Sequence, residues 1–381
     1  MAGRFQRIAN ASVLFFALAA ATSTAFAAAK PKEATAGSKD ADSLPRVNRS
    51  IREPVLSPTL QASAGMAGDV FPAFANHLAE ESPSKREFGI LQVKITNPAA
   101  SGQILRARIS VHISGWSEEE TQNVELPPGA SKTLNFAPPL VERAFRNREV
   151  SPALAQVRAI DSAGTVLYAG SLPLRIRAAD DMYWGNKFIY APMIASWVTP
   201  HDSAVEKLLS RAKEYMPGRR LPGYEPWKDA AGQEASTRLQ AQAIYLALQK
   251  QGVSYVKSSL TFGNAKNSAY AERIRTPRES LLNGSANCID GVVMFASLFE
   301  NLGMDPEIIV IPGHAYVGVR VAQNSSKYLL IDTALIARVP FERAVAIAEK
   351  GITSWKPGDI TRVSVTRARG EQIYPMPDGS E

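Results

Sequence analysis

The chain reads as an α+β protein, an all-β segment followed by a segment mixing helices and a sheet. Two observations predict this. Apolar residues alternate with period two from about residue 69 to residue 177, and beyond Asp181 the spacing becomes that of amphipathic helices. A third concerns residues 271–336, where helix and strand signals alternate and a cysteine, a histidine and an aspartate fall at their boundaries.

The chain has 381 residues, of which 45% are apolar and 21% charged, so it is ordinary globular material long enough for two domains. Arg4 and Arg7 precede an apolar run from about Ala11 to Ala21, and the small-residue patterns Ala25-Phe26-Ala27 and Ala27-Ala28-Ala29 follow. These are the parts of an export signal, expected to span residues 1–27 and to place the mature chain in the periplasm or outside the cell. The competing reading, an uncleaved anchor, needs about 20 apolar residues, and this run is shorter. A lipid-anchored signal would need a cysteine at the cleavage site, but the one cysteine is Cys288. Removing the signal takes two of the 43 basic residues and none of the 36 acidic ones, which leaves a formal excess of five positive charges. No basic tract with interleaved aromatics accompanies that excess, so nucleic acid is not an expected partner.

Residues 28–68 are rich in Ala, Ser, Pro and Lys with little periodicity and read as a flexible linker. Residues 69–180 follow as a β-domain. Ile90–Thr96, Leu105–Ile113, Thr121–Leu126, Ser131–Phe136, Leu154–Ile160 and Thr165–Arg177 are its strands, with turns at Pro127-Pro128-Gly129 and Asp161-Ser162-Ala163-Gly164. Six or so strands in about 110 residues suggest an immunoglobulin-like β-sandwich. His112 falls on the polar face of its strand, as a surface residue would. In residues 181–375, Pro200-His201-Asp202-Ser203 offers a capping residue for a helix carrying Val205, Leu208, Leu209, Ala212 and Met216 on one face, and a second helix with Leu239, Ala243, Ile244, Ala247 and Leu248 on one face is expected from about Ser236 to Gln251, ended by Gly252. The Gly218–Gly232 stretch between them reads as a loop.

The chemistry concentrates further on. Small, turn-forming residues stop at Cys288, and an apolar helical pattern (Val292, Phe295, Ala296, Leu298, Phe299) starts there. A thiol at a helix N-terminus lies among free backbone N–H groups and at the positive end of the dipole, which favours the thiolate and could hold an oxyanion. After the strand-like run Ile308–Ile311 come Pro312-Gly313-His314 and a second strand, then a loop at Gln323–Ser326 and a third strand ending at Asp332. Antiparallel pairing of the last two brings His314 and Asp332 to the same end of the sheet. There His314 could take the thiol proton and Asp332 could fix its tautomer.

The order of these residues, with Asp290 two places after Cys288, Ala315-Tyr316 after His314 and Thr333 after Asp332, resembles the transglutaminase-like superfamily. Ile274-Arg275-Thr276-Pro277-Arg278-Glu279, Asn287-Cys288-Ile289-Asp290 and Pro312-Gly313-His314-Ala315 are similar to its bacterial members. The resemblance implies a papain-type α+β domain in which Cys288 is the nucleophile, His314 the base and Asp332 the orienting acid. It implies an enzyme acting without cofactor on amide bonds of protein or peptide substrates, peptidoglycan peptides included, as hydrolase or acyltransferase. Tyr316 stands where members often have tryptophan, and Asp332-Thr333-Ala334 where they often have Asp-Pro-Thr. No tryptophan precedes Cys288 in its turn, so the acceptor stays open between water and an amine. The alternative function is a non-catalytic peptide-binding or assembly module on the same fold. Asp290 reads as a first-turn acid complementing the helix dipole, with substrate contact the competing role. His201 reads as part of a helix cap, with a second base as its alternative. Four scattered histidines and one cysteine suggest no metal site.

Overall fold

The computed structural model describes residues 58–257, 260–262 and 271–377. The expected export signal and the linker up to residue 57 lie outside the described residues. The protein is α+β, as its hydropathy patterns imply.

Eight strands form the first part: β1 (Thr59–Ala64), β2 (Asp69–Val70), β3 (Leu91–Thr96), β4 (Leu105–Ile113), β5 (Glu120–Leu126), β6 (Ser131–Phe136), β7 (Ser151–Asp161) and β8 (Val166–Ile176). They make a three-stranded sheet ordered β1-β3-β6 and a five-stranded sheet ordered β2-β8-β7-β4-β5. All pairs are antiparallel except β2 with β8. Every second residue of β4 (Leu105, Ala107, Ile109, Val111, Ile113) is buried, and these meet Val93 and Ile95 of β3 and Leu134 and Phe136 of β6 in one apolar core. The alternation thus does what a half-buried sheet requires of it.

Strand β1 begins within the stretch expected to be a linker. Its register with β3 runs from Thr59↔Thr96 to Ala64↔Leu91, so residues 59–64 are sheet. Being an edge strand with only Leu60, Ala62 and Ala64 turned partly inward, it carries too weak an apolar signal to stand out from a polar tether. Helix α1 (Pro72–Glu80) joins this part to the second: Ala75 and Leu78 belong to the core between the sheets, while Phe71 and Phe74 belong to the other core. There Phe71 stacks on Tyr183 at 5.1 Å. A short helix α2 (Glu142–Phe145) precedes β7.

In the second part, α3 (Ser203–Ala212) starts at Asp202, whose carboxylate accepts the Ala204 N–H at 2.7 Å, and Val205, Leu208, Leu209 and Ala212 are buried as expected, whereas Met216, expected on the same face, lies beyond the helix in extended backbone. Helix α4 (Ala230–Gln251) starts six residues before its expected beginning. Its first turns bury Gln233, Ser236, Thr237 and Gln240, polar residues that carry no amphipathic signal yet serve the backbone of other segments. Gln240 clasps both N–H and C=O of Gly223, and Thr237 donates to the Val321 carbonyl. The remaining helices are α5 (Pro277–Asn283), α6 (Cys288–Asn301), α7 (Phe341–Thr353) and α8 (Val365–Gly370).

A four-stranded antiparallel sheet, ordered β16-β15-β14-β17, forms the platform: β14 (Pro306–Ile311), β15 (His314–Arg320), β16 (Tyr328–Ile331) and β17 (Thr361–Ser364). Its period-two pattern separates two faces. Ile308, Val310, Val317 and Ile331 share the main core with α6, while Ile309, Ile311, Tyr316 and Leu330 pack with Ala348 of α7. Helix α6 is buried on all sides from Ile289 to Phe299, which is why its apolar pattern is broader than a single stripe. Two small sheets complete the fold through β9 (Asp181–Tyr183), β10 (Ser254–Tyr255), β11 (Leu260–Phe262), β12 (Ala271–Arg273) and β13 (Ser285–Ala286), with β11-β12-β9 in one and β10-β13 in the other. Among the described residues no helix is long and apolar enough to cross a membrane.

This packing sets a stability contrast. Phe295 is fully buried beside Phe299, whereas Leu282 at the end of α5 is 75% exposed. Phe295→Ala should cost about 3–5 kcal/mol in urea unfolding, and Leu282→Ala no more than about 0.5 kcal/mol. Similar costs for the two would contradict a core centred on α6.

Candidate active site

The site is built at the amino end of α6. Asn287 caps the helix by accepting the Asp290 N–H at 2.7 Å, and the Asp290 carboxylate returns the bond by accepting the Asn287 N–H at 3.0 Å. Asp290 also accepts the Arg275 N–H at 2.8 Å, with the Arg275 guanidinium 3.4 Å from its other oxygen. Asp290 is therefore a buried structural acid that joins the segment before α5 to the start of α6. Burial raises its pKa, against the stabilising N–H groups of Asn287 and Arg275 and the Arg275 charge. Cys288 is the first residue of the helix and is partly exposed. By helix geometry its own N–H and that of Ile289 have no carbonyl to bond within the helix.

His314 arrives from β15. The two-residue connection Pro312-Gly313 puts proline at the first central position and glycine, with φ of 80°, at the second, so Ile311 and His314 face each other across a tight turn. The β15–β16 register, Val317↔Ile331 to Arg320↔Tyr328, carries the end of β16 back toward His314. Asp332 follows β16 directly, and its Oδ1 lies 3.1 Å from His314 Nε2. The same carboxylate caps the next turn by accepting the Ala334 N–H at 3.1 Å. Thr333 donates to the Cys288 carbonyl at 3.3 Å, tying the strand end to the helix start. That approach needs Gly291: a Cβ there would sit 2.6 Å from Thr333 Oγ1.

The structure thus brings Cys288, His314 and Asp332 together. His314 Nε2 lies 3.1 Å from Asp332 Oδ1, and Cys288 is the other group whose charge acts on the ring. With Nε2 committed to Asp332, Nδ1 is the ring nitrogen left for Cys288. Burial works against a charge on the ring, but Asp332 and Cys288 prevail, raising the His314 pKa to about 9. Tyr316 packs edge-on against the ring with centroids 4.8 Å apart, filling the place beside the histidine with an aromatic. His112 and His201 lie elsewhere: His112 on β4, and His201 next to the Asp202 cap of α3.

Two further residues reach this region that the sequence pattern did not single out. Tyr255 is paired with Ala286, two residues before Cys288, and is 42% exposed. Its pKa is raised first by partial loss of solvent and then by the charges of Cys288, Glu272, Asp290 and Asp332. Glu272 on β12 is raised to about 7 by burial and by Asp290, with Trp184 acting the other way. Both come in on strands of two or three residues, too short to show a period. A scan against protein-family models and a search of curated proteins each found no match to this chain.

The raised His314 pKa has a definite sign. The unfolded histidine titrates near 6.5 and the folded one near 9, so its contribution to stability is complete below about pH 6.5 and is lost as pH rises through about 9. In NMR the His314 ring should titrate with a midpoint near 9, lowered in Asp332→Asn; a wild-type midpoint at or below 6.5 would contradict the described geometry. Gly291→Ala should part Thr333 from Cys288 and slow alkylation of the thiol, while an unchanged rate would show that the approach is not needed.

Proposed function

We propose that this chain is an exported thiol enzyme of the transglutaminase-like kind, acting on amide bonds of proteins or peptides through a thioester on Cys288. The observation that carries the reading is the ion pair of His314 Nε2 with Asp332 Oδ1 at 3.1 Å beside Cys288, the first residue of a buried helix. The residues have distinct parts. Cys288 Sγ, its proton held by His314, attacks the carbonyl carbon, and the oxygen takes the negative charge. The N–H groups of Cys288 and Ile289 and the positive helix end stabilise that oxyanion. His314 then gives its proton to the departing nitrogen as the C–N bond breaks, which leaves an acyl thioester and neutral imidazole. Water or an amine attacks the thioester, His314 receives the proton, and the C–S bond breaks to restore the thiol. Throughout, Asp332 holds Nε2 and so keeps Nδ1 turned to the sulfur. Peptidoglycan peptides are within the substrate class, and the two-sheet part would position the substrate.

His314 has to be protonated when the amine leaves, so kcat/KM should fall as pH rises through about 9, the value to which its surroundings raise it. The direct test needs no substrate. Because Cys288 is the one cysteine, iodoacetamide uptake reports on it alone. His314→Ala should slow uptake at pH 7 by roughly tenfold or more. Equal rates for the two proteins would overturn the thiol-enzyme reading and favour a binding module.

A further inference from the structure

Beside the candidate site stands a residue to which the reaction as described gives no part. Tyr316 follows His314 by two places on β15, so the two side chains share one face of the platform sheet. That face is turned to α7, where Tyr316 is buried in one cluster with Ile309, Ile311, Leu330 and Ala348. Its ring meets the imidazole edge-on, the planes at 85° and the centroids 4.8 Å apart. The far end of the same ring is set by α7. Gly351 lies inside this helix, without the positive φ that favours glycine. A glycine in a helix costs about 1 kcal/mol relative to alanine, so backbone conformation gives no reason for it. Space does. A Cβ at Gly351 would run into the Tyr316 hydroxyl, with Cζ at 3.1 Å and Cε2 at 3.7 Å the next nearest atoms. The three nearest atoms all belong to Tyr316, so the glycine makes room for that side chain.

The consequence concerns the plane of the imidazole. Asp332 holds His314 at one atom, Nε2, and a single contact fixes a point rather than a plane. The outer torsion of a histidine side chain is soft, so the ring can swing about that contact, and Nδ1 faces Cys288 in only part of the swing. An aromatic packed edge-on against the ring, and itself backed by a helix, limits it. We propose that Tyr316 is a positioning residue for the reaction proposed above: seated over Gly351, it holds the imidazole in the orientation that presents Nδ1 to Cys288. The inference rests on the reading of Cys288 and His314 as a working pair. It adds that α7, which carries none of the three catalytic candidates, sets the reactivity of the thiol through the space left at Gly351.

The test follows iodoacetamide uptake by Cys288 and the NMR titration of the His314 ring in the full chain, with urea unfolding measured alongside. Gly351→Ala should push the Tyr316 ring toward His314 and slow uptake at pH 7 about fivefold or more. It should also lower the His314 midpoint, because the contribution of Cys288 to it is lost. Adding Tyr316→Phe to Gly351→Ala removes the oxygen that the new methyl meets and leaves Cζ at 3.1 Å, so both readings should return most of the way to wild type. Tyr316→Leu, which keeps an apolar side chain but no ring edge, should slow uptake by a similar factor with α7 untouched, and it decides the matter if Gly351→Ala does not fold. Wild-type uptake and midpoint in Gly351→Ala and Tyr316→Leu, or a double variant no faster than Gly351→Ala, overturns the inference while the wild-type thiol still depends on His314. If the wild-type thiol is itself indifferent to His314→Ala, the enzyme reading fails and this inference falls with it.

Discussion

The bond network of the Asp290 carboxylate, buried at the amino end of α6, is the constraint on which the rest depends. One oxygen takes the Arg275 N–H and the other the Asn287 N–H. Leaving such groups unpaired in a buried place costs about 1–3 kcal/mol each, more for charged ones. The network therefore fixes three things at once: where α6 begins, how the preceding segment lies against it, and that Cys288 is its first residue. Since α6 is enclosed by the main core from Ile289 onward, the thiol has little freedom to move with respect to the platform sheet.

The platform supplies the other two members by the same economy of short links. Pro312-Gly313 turns β14 into β15 and delivers His314, and the register of β15 with β16 returns Asp332 to it. Thr333 closes the loop by reaching the Cys288 carbonyl over Gly291. Each catalytic candidate thus sits at the end of a rigid element rather than on a free loop, the arrangement in which geometry is held most firmly. The proposed acyl transfer draws on this rigidity, because the histidine serves as acid and then as base without changing place.

Much of this was legible before any coordinates, for a physical reason. Cys288, His314 and Asp332 each fall at an element boundary, and boundaries are marked by local chemistry: Asn287 as a cap, Pro312-Gly313 as a turn, Asp332 ending an apolar run. Strands β3 to β8 showed themselves because one face is buried and the other wet. What stayed hidden lacked such marks. Strand β1 is a polar edge that passes for a tether, and the start of α4 buries glutamine, serine and threonine instead of an apolar stripe. Tyr255 and Glu272 reach the site through pairings of two and three residues, which exist only once the chain is folded.

The central claim is that Cys288 is a nucleophile driven by His314, and acylation by an activated ester tests it most directly. Mixing the protein with p-nitrophenyl acetate and recording nitrophenolate release alongside intact mass should give a burst of one acetyl group per chain. The label should lie on Cys288, come off with hydroxylamine, and be absent from Cys288→Ala, with the burst greatly slowed in His314→Ala. Acylation at the rate of an ordinary thiol, indifferent to His314→Ala, would contradict the account.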